Sequence, residues 1–439
     1  MVVGKKAKTN LSKSSKMKNI LGLKCIVCGK EFSEKDVKYV CLSCGGNLDV
    51  VYNYAEIKKK FTRSTLTTDE NLSIWRYLPI LPLESDFSCQ LNFFPKLHIG
   101  WTPLYRAENL SRKYNFPNLY LKDDGRNPSA SFKDRASSVV VVKGQELGVK
   151  TFTTASTGNA GCALACMCAN LQLPCVIFVP KTAPKAKIAQ LLLFGAKVIA
   201  VHGTYDDAFD LSLKASDEFG WYCRSTGYNP YTREGKKTAA YEICEQLKWK
   251  VPDKVFVSVG DGNIISGTWK GFKDFYALGF IDKLPQLIAV QSEKSNAISQ
   301  AYKNVVAGLV PAKKIKIQSV KATTIADSIS VDMPRDGVAA VKAVIESKGF
   351  AIEVSDDEIL NAIKEIAENE GVFSEPAAST SFAGFKKALK ENKIKENETV
   401  ICLITGNGLK DVESAMKVAG VPVLIEPNIE EVKKIIKNA

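Results

Sequence analysis

From Trp75 onward, short β-rich runs alternate with longer stretches of helical periodicity, and that alternation restricts the possible folds of this chain more than any other feature. Thr151 to Thr154, Cys175 to Val179, Lys197 to Val201 and Val255 to Val259 have strand length and β-branched or apolar content. Between them lie helical patterns over Asn159 to Leu171, Ala186 to Phe194, Tyr205 to Glu218 and Thr238 to Lys248. Strands joined by crossover helices lie parallel, with the helices covering the faces of the sheet, so the pattern predicts an α/β fold. The last firm strand is Thr399 to Thr405, with a helix from Lys410. No internal repeat is visible, and 439 residues suit two to three domains.

Several classes are excluded early. A hydrophobic content of 45% rules out a disordered or fibrous chain. No apolar stretch approaches the roughly 18 residues that span a bilayer, so no membrane partner is expected. The first residues, Met1 to Lys24, are rich in Lys, Ser and Asn, carry no acidic residue, and lack the apolar core of a secretory signal. They also lack the arginines of a transit peptide, so residues 1–22 are expected to form a flexible basic tail on a cytoplasmic protein. The net charge of +13 is spread over helical faces and the tail, without the aromatic-basic stripe of an RNA-reading module. A small anionic ligand accounts for the charge better than nucleic acid does.

Four of the twelve cysteines stand in the pattern Cys25-Ile-Val-Cys28, twelve residues, Cys41-Leu-Ser-Cys44, with glycines at 29, 45 and 46. Each pair can turn two thiolates toward one ion, and the glycines permit the positive backbone angles of such knuckles. Four thiolates suit tetrahedral zinc and leave no open coordination position, so residues 23–54 are expected to be a structural zinc ribbon. Iron would satisfy the same ligands. Other cysteines, such as Cys162, Cys166, Cys168 and Cys402, sit in apolar runs, as buried thiols of a reducing compartment do.

Three polar turns follow strands: Ala155-Ser-Thr-Gly-Asn-Ala160, Ser258-Val-Gly-Asp-Gly-Asn263 and Thr405-Gly-Asn-Gly408. Backbone amides at the start of a helix receive carboxylates and phosphates, and glycines allow close approach. A fourth segment, Asn127-Pro-Ser-Ala-Ser-Phe-Lys-Asp-Arg135, reads as a turn entering a helix, with Ser131 as the N-cap and Lys133 at the helix start. A helix N-terminus disfavours a cationic lysine and so favours its neutral, nucleophilic form. Turns of this kind at the carboxyl ends of parallel strands converge on one cleft.

In this order, with Trp101-Thr-Pro-Leu104, Asn229-Pro-Tyr231, Glu234-Gly235, Glu375-Pro-Ala-Ala378 and Thr405-Gly-Asn-Gly-Leu-Lys-Asp411, the motifs resemble the threonine synthase family of fold-type II pyridoxal-phosphate enzymes. The likeness runs from Cys25 to about Gly420. It implies a tryptophan synthase β-like fold of two doubly wound open-sheet lobes. The large pyridoxal-phosphate-binding lobe would be built from residues 75–150 and 229–425, and the small lobe from 151–228. The resemblance also implies that Lys133 forms the Schiff base, that Asn159 binds the cofactor's 3′-oxygen, that Gly260, Asp261, Gly262 and Asn263 hold its phosphate, and that Thr405 meets the pyridine nitrogen. Ser156, Thr157 and Gly158 would receive the substrate carboxylate.

The family's reaction eliminates phosphate from the γ-carbon of O-phosphohomoserine and adds water at the β-carbon, giving threonine. Lys122, Arg126, Arg233 and Lys236 are the candidate cations for the leaving phosphate, Arg233 and Lys236 foremost. Many family members read Asn-Pro-x-Arg-x-Glu-Gly, whereas this chain reads Asn229-Pro-Tyr-Thr-Arg-Glu-Gly235, which moves the arginine by one position. The phosphate loop is a residue shorter than usual and contains Asp261, which would repel a phosphate unless it points away. Three alternatives stay open on the sequence: a β-replacement on O-phosphoserine like that of cysteate synthase, a threonine or serine dehydratase, and a non-enzymatic binding protein that keeps the fold and uses its ribbon and basic tail on nucleic acid. The intact Ser-Phe-Lys-Asp-Arg, Ser-Thr-Gly-Asn and Thr-Gly-Asn-Gly motifs argue against the last. A homodimer is the expected assembly.

Overall fold

The computed structural model describes residues 19–83, 91–183 and 185–437. Most of the basic tail expected over 1–22 lies outside these. Its last residues belong to the fold, because β1 (Ile20–Cys25) pairs antiparallel with β2 (Glu31–Phe32) and β3 (Leu48–Tyr52). Ile20 and Leu23 are both buried on that sheet although they are three residues apart, because the register shifts between Ile20 and Gly22.

The main body contains two sheets. β4 (Leu104–Arg106) and β5 (Leu119–Asp123) begin the larger one. The chain then leaves to build a parallel sheet from β6 (Phe152–Ala155), β7 (Cys175–Pro180), β8 (Lys197–Val201) and β9 (Tyr222–Cys223), in the order β8-β7-β6-β9. It returns for β10 (Lys254–Ser258), β11 (Gln286–Ser292), β12 (Ala351–Val354) and β13 (Val400–Ile404). The six-stranded order is β12-β11-β10-β13-β5-β4, parallel throughout except for the antiparallel edge strand β4.

The central strands β5, β10 and β13 are almost entirely buried, as strands covered on both faces must be. Their carboxyl ends therefore open where the covering helices begin. The helix Lys133–Glu146 packs against both Asn159–Asn170 of the four-stranded sheet and Tyr231–Lys236, and so joins the two sheets. Val139 to Val142 on this helix are fully buried, within an apolar cluster that includes residues of the small sheet such as Phe152 and Ile177, and of the large sheet such as Val255 and Ile401. Both ends of the lobe connection are thus fixed by one apolar helix.

Helix starts follow side-chain capping where the sequence allows it. Thr204 and Ser355 form capping boxes for Tyr205–Phe219 and Asp356–Glu370. The helix expected from Lys410 begins at Val412, because Asp411 caps it by accepting from the Ser414 amide. Residues Gly408–Lys410 instead make a short 3-10 turn.

Candidate active site

Lys133 opens the helix Lys133–Glu146, and its sequence neighbours are fixed by buried polar contacts. Asp134 accepts from the Ser129 amide at 2.7 Å and from Ser129 Oγ at 2.6 Å. Arg135 Nε donates to Asp124 at 2.7 Å, while its Nη2 donates to Glu242 at 2.7 Å and its Nη1 to the same carboxylate. Ser131, expected as the N-cap, is not: the helix has no side-chain cap, and Ser131 Oγ lies one residue farther out, 3.4 Å from the Lys133 amide. Phe132 holds the N-cap position, because its amide bonds to Thr405 O at 2.9 Å and Ser131 is bridged to Gly406. The turn is therefore anchored to the end of β13.

Among the described residues, the Lys133 ammonium has no hydrogen-bond or ion-pair partner. Burial pushes its pKa down and Arg224 adds to the effect, against the carboxylates of Glu375 and Asp261. A helix start, burial and a neighbouring cation all favour the neutral amine.

Around this amine stand the three polar turns. Gly158, after β6, begins the helix Asn159–Asn170 without a side-chain cap, so its first amides face the cleft. Asn159 Nδ2 donates to both oxygens of Glu375, at 2.9 and 3.1 Å. After β10, Gly262 takes φ +90° and starts the helix Asn263–Leu278. A Cβ on Gly260 would lie 2.8 Å from Ile329 Cα, and one on Gly262 would lie 2.7 Å from Ala340 Cβ, so only glycine fits at either position. The Asp261 carboxylate accepts the Arg335 amide at 3.1 Å and its carbonyl accepts the Asp336 amide at 2.8 Å, yet the residue still lines the cavity of the loop and its charge acts on Lys133 and Lys236.

Two cavities meet at Lys133. One is lined by Lys236, Gly260 to Asn263 and Thr405. The other, of about 620 Å³, is lined by Ser156 to Asn159, Arg224 and Ser225 from the small lobe and by Arg335 from the large one. Lys133, Thr226, Asp261 and Ser328 line both. Lys236 lies on the loop side, where Nζ donates to Asn263 Oδ1 at 2.7 Å, and not beside Ser156 to Gly158. Burial, then Lys133 and Arg224, lowers its pKa strongly.

The structure does not bring the other three candidate cations here. Arg233 is buried against the ribbon: Nη2 donates to both oxygens of Asp336 at 2.7 and 2.9 Å, Nη1 to Asp49 at 3.0 Å and Leu48 O at 3.2 Å, and Nε to Ser266 at 3.2 Å. Every N–H of this guanidinium is used there. Lys122 is buried against Glu242, Thr102 O and Gln246, and Arg126 is exposed beside Asp123. A one-residue shift along a helix turns a side chain by about 100°, enough to exchange the cleft for the ribbon.

Two residues at the site escaped the sequence reading as site residues. Glu375, in the quoted Glu375-Pro-Ala-Ala378, is 4% exposed, and its carboxyl is raised by burial against the opposing pull of Asn159 and Lys133. Arg224 follows β9, a two-residue strand too short to leave a pattern. The hydroxyl-rich Ser225-Thr226-Gly227 after it was the available signal.

The four N-terminal thiols lie within 4.8 Å of one another, with Cys25–Cys44 at 3.5 Å and Cys28–Cys41 at 3.6 Å. A tetrahedral ion with bonds of about 2.3 Å to sulfur needs sulfurs about 3.8 Å apart, so the group fits a metal. The amides of Cys28 and Ser43 donate to Cys25 and Cys41 sulfurs, as they do in knuckle turns.

On the loop side, the glycine turn, the helix start and Lys236 fit a phosphate, and an amine free of partners fits an aldehyde that it could bond. A family model described as pyridoxal-phosphate dependent enzyme matches residues 95–406. The chain is 39% identical to a threonine synthase of Methanocaldococcus jannaschii, over 94% of this chain and 99% of that one. It is 38% identical to a threonine synthase of Methanosarcina acetivorans, over 94% and 98%. Among solved structures, it resembles threonine deaminase isoform 2 of Solanum lycopersicum with TM-score 0.61 and 24% identity, covering 73% of this chain and 88% of that one. That last likeness concerns the fold alone.

Proposed function

The chain belongs to the threonine synthase family of pyridoxal-phosphate-dependent enzymes, and we propose that it converts O-phospho-L-homoserine and water to L-threonine and phosphate. One observation carries this reading: relatives that match 94% of the chain at 38–39% identity are threonine synthases.

The cofactor, when bound, supplies the electron sink for negative charge that develops along the substrate's carbon chain. Lys133 Nζ would hold it covalently. Gly260 to Asn263 and Lys236 would hold its phosphate, Thr405 would face its ring nitrogen, and Asn159 with Glu375 would border its 3′-oxygen. Asn159 bonded to a buried carboxylate is oriented before any ligand arrives.

The remaining work falls to this chain's side chains and amides. The first turn of Asn159–Asn170, with Ser156 and Thr157, receives the substrate carboxylate. Lys133 Nζ, as a neutral amine, would be the base that takes the α-proton and, after exchange with solvent, delivers a proton back to the α-carbon. A β-proton would then leave, phosphate would depart from the γ-carbon, a solvent-exchanged proton would be added at the γ-carbon to make the methyl group, and water would add at the β-carbon.

The four-cysteine cluster is read here as a structural zinc site, the ribbon acting as a brace. Its four thiols leave no ligand position for substrate. Residues 75–150 and 229–425 form the cofactor-binding lobe and 151–228 the substrate-side lobe. A cytoplasmic homodimer completes the reading; light scattering on a sizing column would give the mass of one chain if the dimer is wrong. No helix among the described residues is long and apolar enough to cross a membrane.

The test is to load the protein with pyridoxal phosphate and incubate it with O-phosphohomoserine, following phosphate release and identifying the amino acid. Phosphate and threonine in equal amounts are expected. Release only from O-phosphoserine with sulfite, giving cysteate, would replace this reading.

A further inference from the structure

Arg224 is fully buried, and among the described residues its Nη2 has no hydrogen-bond partner. The rest of the guanidinium is fixed: Nε donates to Ser137 Oγ at 3.0 Å and Nη1 to Thr226 Oγ1 at 2.7 Å. Among the described residues no carboxylate is paired with it, and burial pulls its pKa down to about 10. A buried guanidinium without a counter-ion is costly unless a ligand supplies the charge.

Its position says where that ligand would sit. β6 and β9 are adjacent and parallel, so their carboxyl ends place the Ser156–Asn159 turn and Arg224 to Thr226 side by side. The Thr154 and Ser225 hydroxyls, 3.2 Å apart, tie the two ends together. Arg224 lines the 620 Å³ cleft with Ser156, Thr157 and Lys133, and does not line the cavity of Gly260 to Asn263. Lys236 lines only the loop side and Arg224 only the cleft, where the other arginine, Arg335, is paired with Asp206. Arg233 is committed to Asp336 and Asp49, so Asn229 to Gly235 contributes no arginine to the cleft.

We propose that Arg224, with Ser225 and with Thr226 at the border of the two cavities, is the specificity-determining clamp for the substrate's phosphomonoester. This rests on the reading of the cleft as the substrate site of a phosphate-eliminating enzyme. The free Nη2 and the neighbouring hydroxyls offer the cation and donors that a phosphate dianion takes. A phosphate held there after it leaves the γ-carbon stays beside the β-carbon, where water must add.

The experiment uses pyridoxal-phosphate-loaded wild type, Arg224→Gln and Arg224→Lys. It measures kcat and KM for O-phosphohomoserine, competition by inorganic phosphate, competition by homoserine (which keeps the carboxylate but lacks the phosphate), and bound cofactor by its visible absorbance. Losing a charged donor is expected to raise KM and weaken inorganic phosphate on the order of 10- to 100-fold in Arg224→Gln, and less in Arg224→Lys. Homoserine competition and cofactor content should stay within about twofold, a charged donor acting only on the group it touches.

If homoserine weakens as much as phosphate does, Arg224 binds the carboxylate and the proposal is overturned. Loss of cofactor would place Arg224 at the cofactor's phosphate and overturn it too. Should Arg224→Gln not fold, an Arg224→Lys protein with unchanged phosphate competition would do the same. If wild type turns over no O-phosphohomoserine, the threonine synthase reading fails separately. The phosphate titration of the visible spectrum, wild type against Arg224→Lys, still decides the clamp.

Discussion

Arg224 and Arg233 lie nine residues apart, both buried, and the contrast between them separates structure from function in this molecule. Arg233 faces the ribbon with all of its donors satisfied by Asp336, Asp49, Leu48 O and Ser266. Arg224 faces the cleft with two hydroxyls and a free nitrogen. A buried charge whose partners are all protein holds parts of the protein together. One whose partners are incomplete waits for something that is not protein. The same contrast sets Lys122, paired with Glu242, against Lys133, which has no hydrogen-bond or ion-pair partner among the described residues.

The largest effect is expected where the contrast is sharpest. Lys133→Ala should lower phosphate release on the order of 10³-fold or more, because both cofactor attachment and proton transfer are lost. It should not lower the melting temperature of the cofactor-free protein, since the amine removed had no partner. Melting well below wild type would show that Lys133 also holds the fold.

Arg233→Met should do the reverse. Breaking a buried ion pair and leaving Asp336 uncompensated costs about 3–5 kcal/mol, so denaturant unfolding should shift strongly. KM for O-phosphohomoserine in the folded fraction should stay within twofold. A raised KM with unshifted unfolding would return Arg233 to the substrate site.

Disrupting the four-cysteine cluster extends the test to the ribbon. Cys41→Ser, or a strong chelator, should lower stability while the Lys133 chemistry persists, because β3 and Asp49 brace the lobe at Arg233 and not at the cleft. Loss of cofactor attachment in Cys41→Ser would contradict that separation.

A smaller effect should appear in acid. Burial alone would raise the Glu242 carboxyl, but Arg135 and Lys122 overcome it and hold the group at about 2. Its ordinary value is about 4.3, so the stabilisation is complete above that pH and is lost as pH falls toward 2. Glu242→Gln should remove this pH dependence, together with much of the stability at neutral pH.

Much of this was legible in the sequence because it depends on local rules. The βα turns at Ser156, Gly260 and Thr405 carry their glycines and hydroxyls beside apolar strands, and the structure brings all three to Lys133. The cysteine spacing likewise brings four sulfurs together. Arg233 was misread because its direction depends on helix phase within Tyr231–Lys236, and its partners Asp49 and Asp336 come from distant segments. Arg224 was missed because β9 is two residues long and gains its place from pairing with β6, which no local pattern encodes. Lys236 fell on the loop side because Asn263 claims it across 27 residues.

The central claim is that this cleft removes an α- and a β-proton, expels phosphate from the γ-carbon and returns water at the β-carbon. The most direct measurement runs the reaction on O-phosphohomoserine in heavy water and examines the product by mass spectrometry and NMR. The account predicts threonine carrying deuterium at the α-carbon and one deuterium in the methyl group, with phosphate released in equal amount. A 2-oxo acid with ammonia, or threonine without the methyl deuterium, would contradict it.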